Sequence, residues 1–195
     1  MYIATVLAAA ALTSGGVAAP GPTTHPDPVC PSRNVPIEGR KSPLDSLTFS
    51  IAGKSVKVCY GRPSARGRTM LGGSDIPFGK LWRTGANEPT IFYAPVPLRV
   101  AGLKVPPGVY SLYTVPGPHE WEVIVNRSIS QWGKEDQYTA AVKAQELGRA
   151  KVKSEALKTP VETFTIAAEP AGAKAASLLL DWEKTRVRIP VEVEK

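Results

Sequence analysis

Five cations, a tryptophan and two further polar side chains fall within one stretch of this sequence, Tyr60–Glu88 (YGRPSARGRTMLGGSDIPFGKLWRTGANE). Arg62, Arg66, Arg68, Lys80 and Arg83 face only Asp75 and Glu88 in the same segment. Guanidinium groups give forked, bidentate hydrogen bonds to carboxylate, phosphate or sulfate, so a cluster of arginines suits an anionic ligand. Trp82, next to Arg83 and close to Asn87, adds the aromatic wall and amide expected of a small-ligand site. The expected ligand-binding set is therefore Arg62, Arg66, Arg68, Trp82, Arg83, Asn87 and Glu88, with a small anionic molecule or an acidic glycan as ligand. A competing role exists for the same arginines: pairing with Asp75, Glu88 or nearby carbonyls to hold a long loop in shape, since ordered loops need internal partners.

Catalytic patterns are thin. Ser64 lies in Pro63-Ser64-Ala65, outside any G-x-S-x-G elbow, and His119 stands in a Pro-Gly-Pro turn. The expected function is a non-enzymatic binding or accessory module of the cell envelope. An envelope hydrolase using Ser64 and His119 is the alternative, because such groups assemble in space and not in sequence. A purely structural or assembly module is the third reading. Glu120 and Glu122 share a strand face, which favours a solvated edge over an acid–base pair. The glycines of the stretch match neither GxGxxG nor GxxxxGK[ST], which excludes a phosphate-binding loop. Two cysteines and two distant histidines (His25, His119) fit no zinc spacing, so neither metal nor cofactor is expected.

Composition sets the class. The 195 residues carry 19 prolines and 17 glycines between short apolar runs, a pattern of many turns and many strands. A formal net charge of +7 favours acidic partners in general. No nucleic-acid recognition motif accompanies it, so nucleic acid is not the expected partner. The apolar run Tyr2–Leu12, followed by small residues to Ala19, reads as a secretory signal over residues 1–19 and predicts an exported, periplasmic or extracellular protein. The run is too short for a transmembrane helix. In an exported chain Cys30 and Cys59 read first as a disulfide, worth about 3–4 kcal/mol in the chain-entropy view.

The elements that must position these groups follow in order. Residues 20–43 form a Pro-rich irregular arm, and residues 44–195 a β domain. Leu47–Ile51 and Val56–Tyr60 alternate as a hairpin, with Cys59 on the face opposite Val58, so a bridge from Cys30 would pin the arm across that outer face. Val109–Val115 is apolar or aromatic on both faces and predicts a central strand. Residues 127–158 are the least legible: a short helix over Thr139–Leu147 and a brief strand at Lys151–Lys153 are the expectations. Then come a strand Val161–Ile166, a loop over Ala167–Ala176, and a final hairpin turning at Glu183-Lys184. Pro190 marks the last strand as an edge or a bulge.

The runs YGRPSARGRTMLGG, PFGKLWRTGANE, PPGVYSLYTVPG and EWEVIVN, in that order, resemble the bacterial family DUF2911. VETFTI and the closing L-x-L-x-W-E segment are similar to it as well. The resemblance implies an exported or envelope-associated β-rich domain whose marked feature is the loop from Gly61-Arg62-Pro63-Ser64 to Trp82–Glu88. It brings no catalytic role. The expected fold is all-β, a single antiparallel sandwich of about nine strands, jelly-roll-like or immunoglobulin-like.

Overall fold

The structure is a computed structural model that describes residues 29–31 and 36–195; the expected signal peptide over 1–19 and part of the Pro-rich arm lie outside the described residues. Nine strands carry the fold: β1 (Leu44–Ile51), β2 (Lys54–Gly61), β3 (Thr90–Ala94), β4 (Leu98–Val100), β5 (Leu103–Val105), β6 (Gly108–Val115), β7 (Glu120–Asn126), β8 (Glu146–Pro170) and β9 (Ala175–Val193). All pair antiparallel in the order β1-β2-β3-β6-β7-β8-β9-β4-β5.

Local chemistry explains the pairing. In the first hairpin Leu47 opposes Val58 and Phe49 opposes Val56. Its two-residue turn puts Ala52 (φ 50°) and Gly53 (φ 70°) in the left-handed region, the geometry that matches strand twist. β6 lies between β3 and β7, and all five residues Tyr110–Thr114 are buried, as its two-sided apolar pattern predicted.

β8 folds the sheet over. Its first part, Glu146–Lys153, pairs with β7, and the part from Ser154 to Pro170 pairs with β9. The two halves of the sheet thus become two layers of a sandwich, left open and not closed into a barrel. Between them pack Phe92, Leu112, Trp121 and Val123 from one layer and Phe164, Leu180, Trp182 and Ile189 from the other. Tyr60 of β2 stitches across, its ring 5.7 Å edge-on from Phe164 and its hydroxyl accepting the Ile166 N–H at 3.0 Å.

Three expectations are corrected. Lys151–Lys153, Val161–Ile166 and the first residues of the expected loop 167–176 are one continuous strand; only residues 171–174 turn. Bulges absorb the residues that looked like breaks. Ala156 stands opposite Thr185 and Val161 opposite Glu183, so residues 157–160, with Pro160, face Lys184 alone and owe the ladder no hydrogen bond. Glu183-Lys184 is likewise not a turn: β9 runs straight through it. The expected helix over 139–147 shrinks to α1 (Ala140–Lys143), with Thr139 Oγ1 accepting from Val142 N. It has no buried residue, in keeping with its poor apolar spacing.

Pro190 falls after Val187, the last β9 residue paired with β8, and before Val191, the first paired with β4. Cys30 and Cys59 are bridged, with Cα atoms 5.5 Å apart, and hold residues 29–31 against the outer face of β2 as expected. Tyr93 donates its hydroxyl to the Val29 carbonyl beside the bridge. Among the described residues no helix is long and apolar enough to cross a membrane.

Candidate functional site

The connection between β2 and β3, residues 62–89, lies across both layers and is fastened along its whole length. Its entry is a backbone crossing: a Cβ on Gly61 would fall 2.0 Å from the Ala86 carbonyl oxygen, so only glycine fits there. The chain next adds to the rim of β8 through Phe164 N to Pro63 O (2.8 Å) and Ala65 N to Glu162 O (2.9 Å). Further on, Trp82 exchanges both backbone bonds with Thr114 of β6. Its exit passes through Asn87 in the left-handed region (φ 64°), where asparagine is tolerated, with its amide donating to the Ser42 carbonyl.

These fastenings use most of the expected ligand-binding set. Arg62 pairs with Asp45 (3.2 Å) and donates to Phe164 O and to Thr165 Oγ1. Arg68 donates to Ala65 O, Ser64 O and Asp75. Arg66 donates its backbone N–H to Glu162 and its guanidinium to Lys41 O. Arg83 donates to Asn87 O, and burial lowers its pKa from the usual arginine value. Glu88 is buried in a bidentate pair with Arg40 at 2.8 and 2.9 Å.

Trp82 is placed in the core and not on a ligand wall. It is 7% exposed, stacked on Trp182 at 5.7 Å and edge-on to Trp121 and Phe164, with its indole N–H given to Gly85 O. The loop needs an apolar anchor to cross the open end of the sandwich, and Trp82 is that anchor. Ser64 and His119 are not brought together. The Ser64 hydroxyl is bonded to Thr163 Oγ1 at 2.8 Å, while His119 stands at the β6–β7 turn, its carbonyl accepting Ser154 N.

What the loop does leave open are two cavities, one on each side of its turn at Pro77–Lys80. The larger, about 500 Å³, opens over the bulged part of β8 and β9 and is lined by Leu71, Phe78, Arg68, Glu162, Glu183 and Lys184, among others. Glu183 has a left-handed backbone (φ 51°). Its carboxylate accepts the Met70 and Leu71 N–H groups at 3.0 and 2.8 Å, fixing the loop against the bulge. Such bulges and non-glycine left-handed residues concentrate beside functional sites.

The smaller cavity, about 370 Å³, is lined by Gly79, Lys80 and Leu81 of the loop, Val115 of β6, Tyr138, Lys143 and Arg149. Arg149 is held rigid: it donates to Glu122 (2.7 Å) and to both oxygens of Glu146 (2.8 Å each). That pairing raises the Arg149 pKa and holds the Glu146 carboxyl below the usual range. The Tyr138 hydroxyl donates to Glu146 Oε1 at 2.9 Å and accepts from Asn126 Nδ2 at 3.0 Å, and burial pushes it well above an ordinary tyrosine. Lys80 and Lys143 are exposed and form no ion pair with the described residues. Two ammonium groups outside any ion pair with the described residues and one anchored guanidinium therefore line the same cleft, and the Lys143 charge also helps to lower the Glu146 pKa. Lys80 was visible within the cationic loop. Tyr138, Lys143 and Arg149 come from the region with no readable period, and no sequence signal marked them. Among the described residues no cluster of three or more His, Cys, Asp or Glu could hold a metal.

No curated protein and no solved structure matches the chain. The family described as "Protein of unknown function (DUF2911)" matches residues 42–191, from just before β1 to within two residues of the end of β9, and takes in the whole 62–89 loop. The match covers well over half of the sequence, in agreement with the motifs quoted above, and the chain belongs to the DUF2911 family.

Proposed function

We propose that this protein is an exported, non-enzymatic binding or accessory module of the cell envelope that takes a small anionic ligand in the cleft between Lys80, Lys143 and Arg149. The observation that carries the reading is a pair of lysines that form no ion pair with the described residues, set around a cavity whose third cation is already held by Glu122 and Glu146. An anion at the two ammonium groups displaces no ion pair of theirs, whereas an anion at Arg62 or Arg68 would have to displace Asp45 or Asp75. The Cys30–Cys59 bridge supports an oxidising compartment, since such bonds persist outside the cytosol. No activated nucleophile supports the hydrolase alternative, because Ser64 is spent on Thr163.

The test is calorimetric titration with inorganic phosphate and with galacturonic acid at low salt. The expected result is saturable binding that weakens at least tenfold in Lys80→Gln/Lys143→Gln and is retained in Lys174→Gln, which removes a charge at the remote 171–174 turn. Equal weakening by Lys174→Gln would reduce the effect to net charge and overturn the site. So would phosphate binding that survives the double substitution.

A further inference from the structure

The two cavities have no lining residue in common, but their linings adjoin in the chain at Phe78 and Gly79. Phe78 lines the larger and Lys80 the smaller, and consecutive Cα atoms are about 3.8 Å apart, so the two residues lie within about 7.6 Å of each other. The turn between them is rigid at both ends: Gly79 N donates to Pro116 O at 2.8 Å, and Lys80 N to Pro77 O. Phe78 is 45% exposed, the one exposed phenylalanine or tryptophan among the described residues. Its ring rests directly on Gly72, where an added Cβ would come within 2.5 Å of it. The ring is therefore held in place at the mouth of the larger cavity.

From this juxtaposition we propose that the ligand is an acidic oligosaccharide that crosses the Pro77–Lys80 turn, its anionic group at Lys80 and Lys143 and a neighbouring sugar ring against Phe78. The inference rests on the anion-binding reading above and extends it from one charged group to a chain of sugars. A pyranose offers an apolar C–H face with hydroxyls at its edge. The larger cavity answers with an aromatic ring bordered by polar side chains: Arg68, Glu162, Lys184 and Thr185. An extended acidic peptide fits less well. Peptides dock on β proteins by pairing with an unpaired strand edge, and here residues 162–164 of β8 are already paired with the loop through Pro63 and Ala65. The ring needs no ordering before it meets a sugar, because Gly72 already fixes it.

The experiment compares galacturonic acid, linear trigalacturonate, a sulfated trisaccharide, neutral maltotriose and hexaglutamate as titrants of the full protein. Trigalacturonate or the sulfated trisaccharide should bind at least tenfold more tightly than the monomer, and maltotriose should not bind measurably. In Phe78→Ala the trimer-to-monomer affinity ratio should fall to near one, and in Phe78→Trp it should be kept. If the monomer binds but the acidic trimers gain nothing, the oligosaccharide inference falls while the anion site stands. If hexaglutamate matches the trimers and Phe78→Ala changes neither, the ligand is a peptide and the inference falls. If none of the anions binds, both readings fall together.

Discussion

At the centre of the β6–β7 pair the two faces are equally dry and are closed by different chemistry. Toward the second layer β6 presents Tyr110, Leu112 and Thr114, with Phe92, Val123 and Val125 beside them, and the face closes by packing against Phe164, Leu180 and Trp182. Away from it, the same strands present Ser111, Tyr113, Ile124 and Asn126, all with 0% exposure, under the cover of residues 127–145. That face closes by hydrogen bonds. Gln131 Nε2 donates to Tyr113 OH, and Ser111 Oγ donates to Ser128 O. Asn126 gives its amide to Tyr138 OH and Val142 O while accepting Ser128 N. A sheet can thus be buried on both sides with polar side chains set among the apolar ones of one face, provided each buried polar atom finds a partner. The smaller cavity opens at the margin of the polar face, through Tyr138, and the cover that satisfies that face supplies Lys143.

The comparison breaks most visibly on the apolar side. Trp182→Ala removes a fully buried ring that stacks on Trp82 and packs against Phe164, and should cost about 3–5 kcal/mol in urea unfolding, the range for large aromatic deletions from a core. A loss under about 1 kcal/mol would mean that the layers can collapse onto the gap. The polar side should respond to alkaline pH through Tyr113, beside the apolar side's Tyr60 and Tyr110, whose hydroxyls burial also raises. Burial raises the Tyr113 hydroxyl from 10.0 to about 12, so its contribution is fully present below pH 10 and is lost as the pH rises toward 12. At about 1.4 kcal/mol per unit that amounts to about 2–3 kcal/mol, and Tyr113→Phe should flatten the stability–pH curve in that window. A curve unchanged by the substitution would put the titration elsewhere.

Asn126 probes the polar face without a charge. Asn126→Ala leaves the buried Ser128 N without its acceptor, while Val142 O keeps Gln145 N, and should cost about 1–3 kcal/mol as the penalty for a stranded buried group. If Asn126→Leu stabilised the protein instead, the polar face would be replaceable by packing and the contrast between the faces would dissolve.

The apolar face was legible in the sequence and the polar face was not, for a physical reason. Alternation of apolar residues reports a buried face only when the burying partner is also apolar. Val109–Val115 announced a central strand because both its faces carry bulk. By contrast, Ser128, Gln131 and Tyr138 look the same whether they meet solvent or a sheet. The disulfide was readable, because an even pair of cysteines in a chain read as exported pairs first with itself, and the alternation of Cys59 with Val58 placed it on the outer face. The extent of β8 was not, since Lys158 and Pro160 interrupt its pattern and only a bulge in three dimensions reconciles them. The 62–89 loop was conspicuous by its cations, but charge along a chain does not show where a guanidinium turns. Arg62 and Arg68 turn to carboxylates and carbonyls, and Trp82 goes into the core. Of the five cations in that stretch, Arg68 lines the larger cavity and Lys80 the smaller.

The smallest effect sharpens the comparison furthest. Ser111 sits at 0% exposure at the centre of the polar face and gives its hydroxyl to Ser128 O at 2.7 Å. Deleting it is not equivalent to deleting Asn126, because Ser128 O also accepts from Gln131 Nε2 at 3.0 Å. Gln131 in turn keeps Tyr113 as a partner. No buried group is stranded, and alanine leaves a gap of a single oxygen. Ser111→Ala should therefore cost only the net value of one hydrogen bond, about 0.5–1 kcal/mol by urea midpoint. A double-mutant cycle with Gln131→Ala should then show coupling, because the second substitution removes the donor that made the first one mild. Additive losses in that cycle would mean that the bonds of this face act singly. The polar face would then be a set of independent contacts and not a closed network.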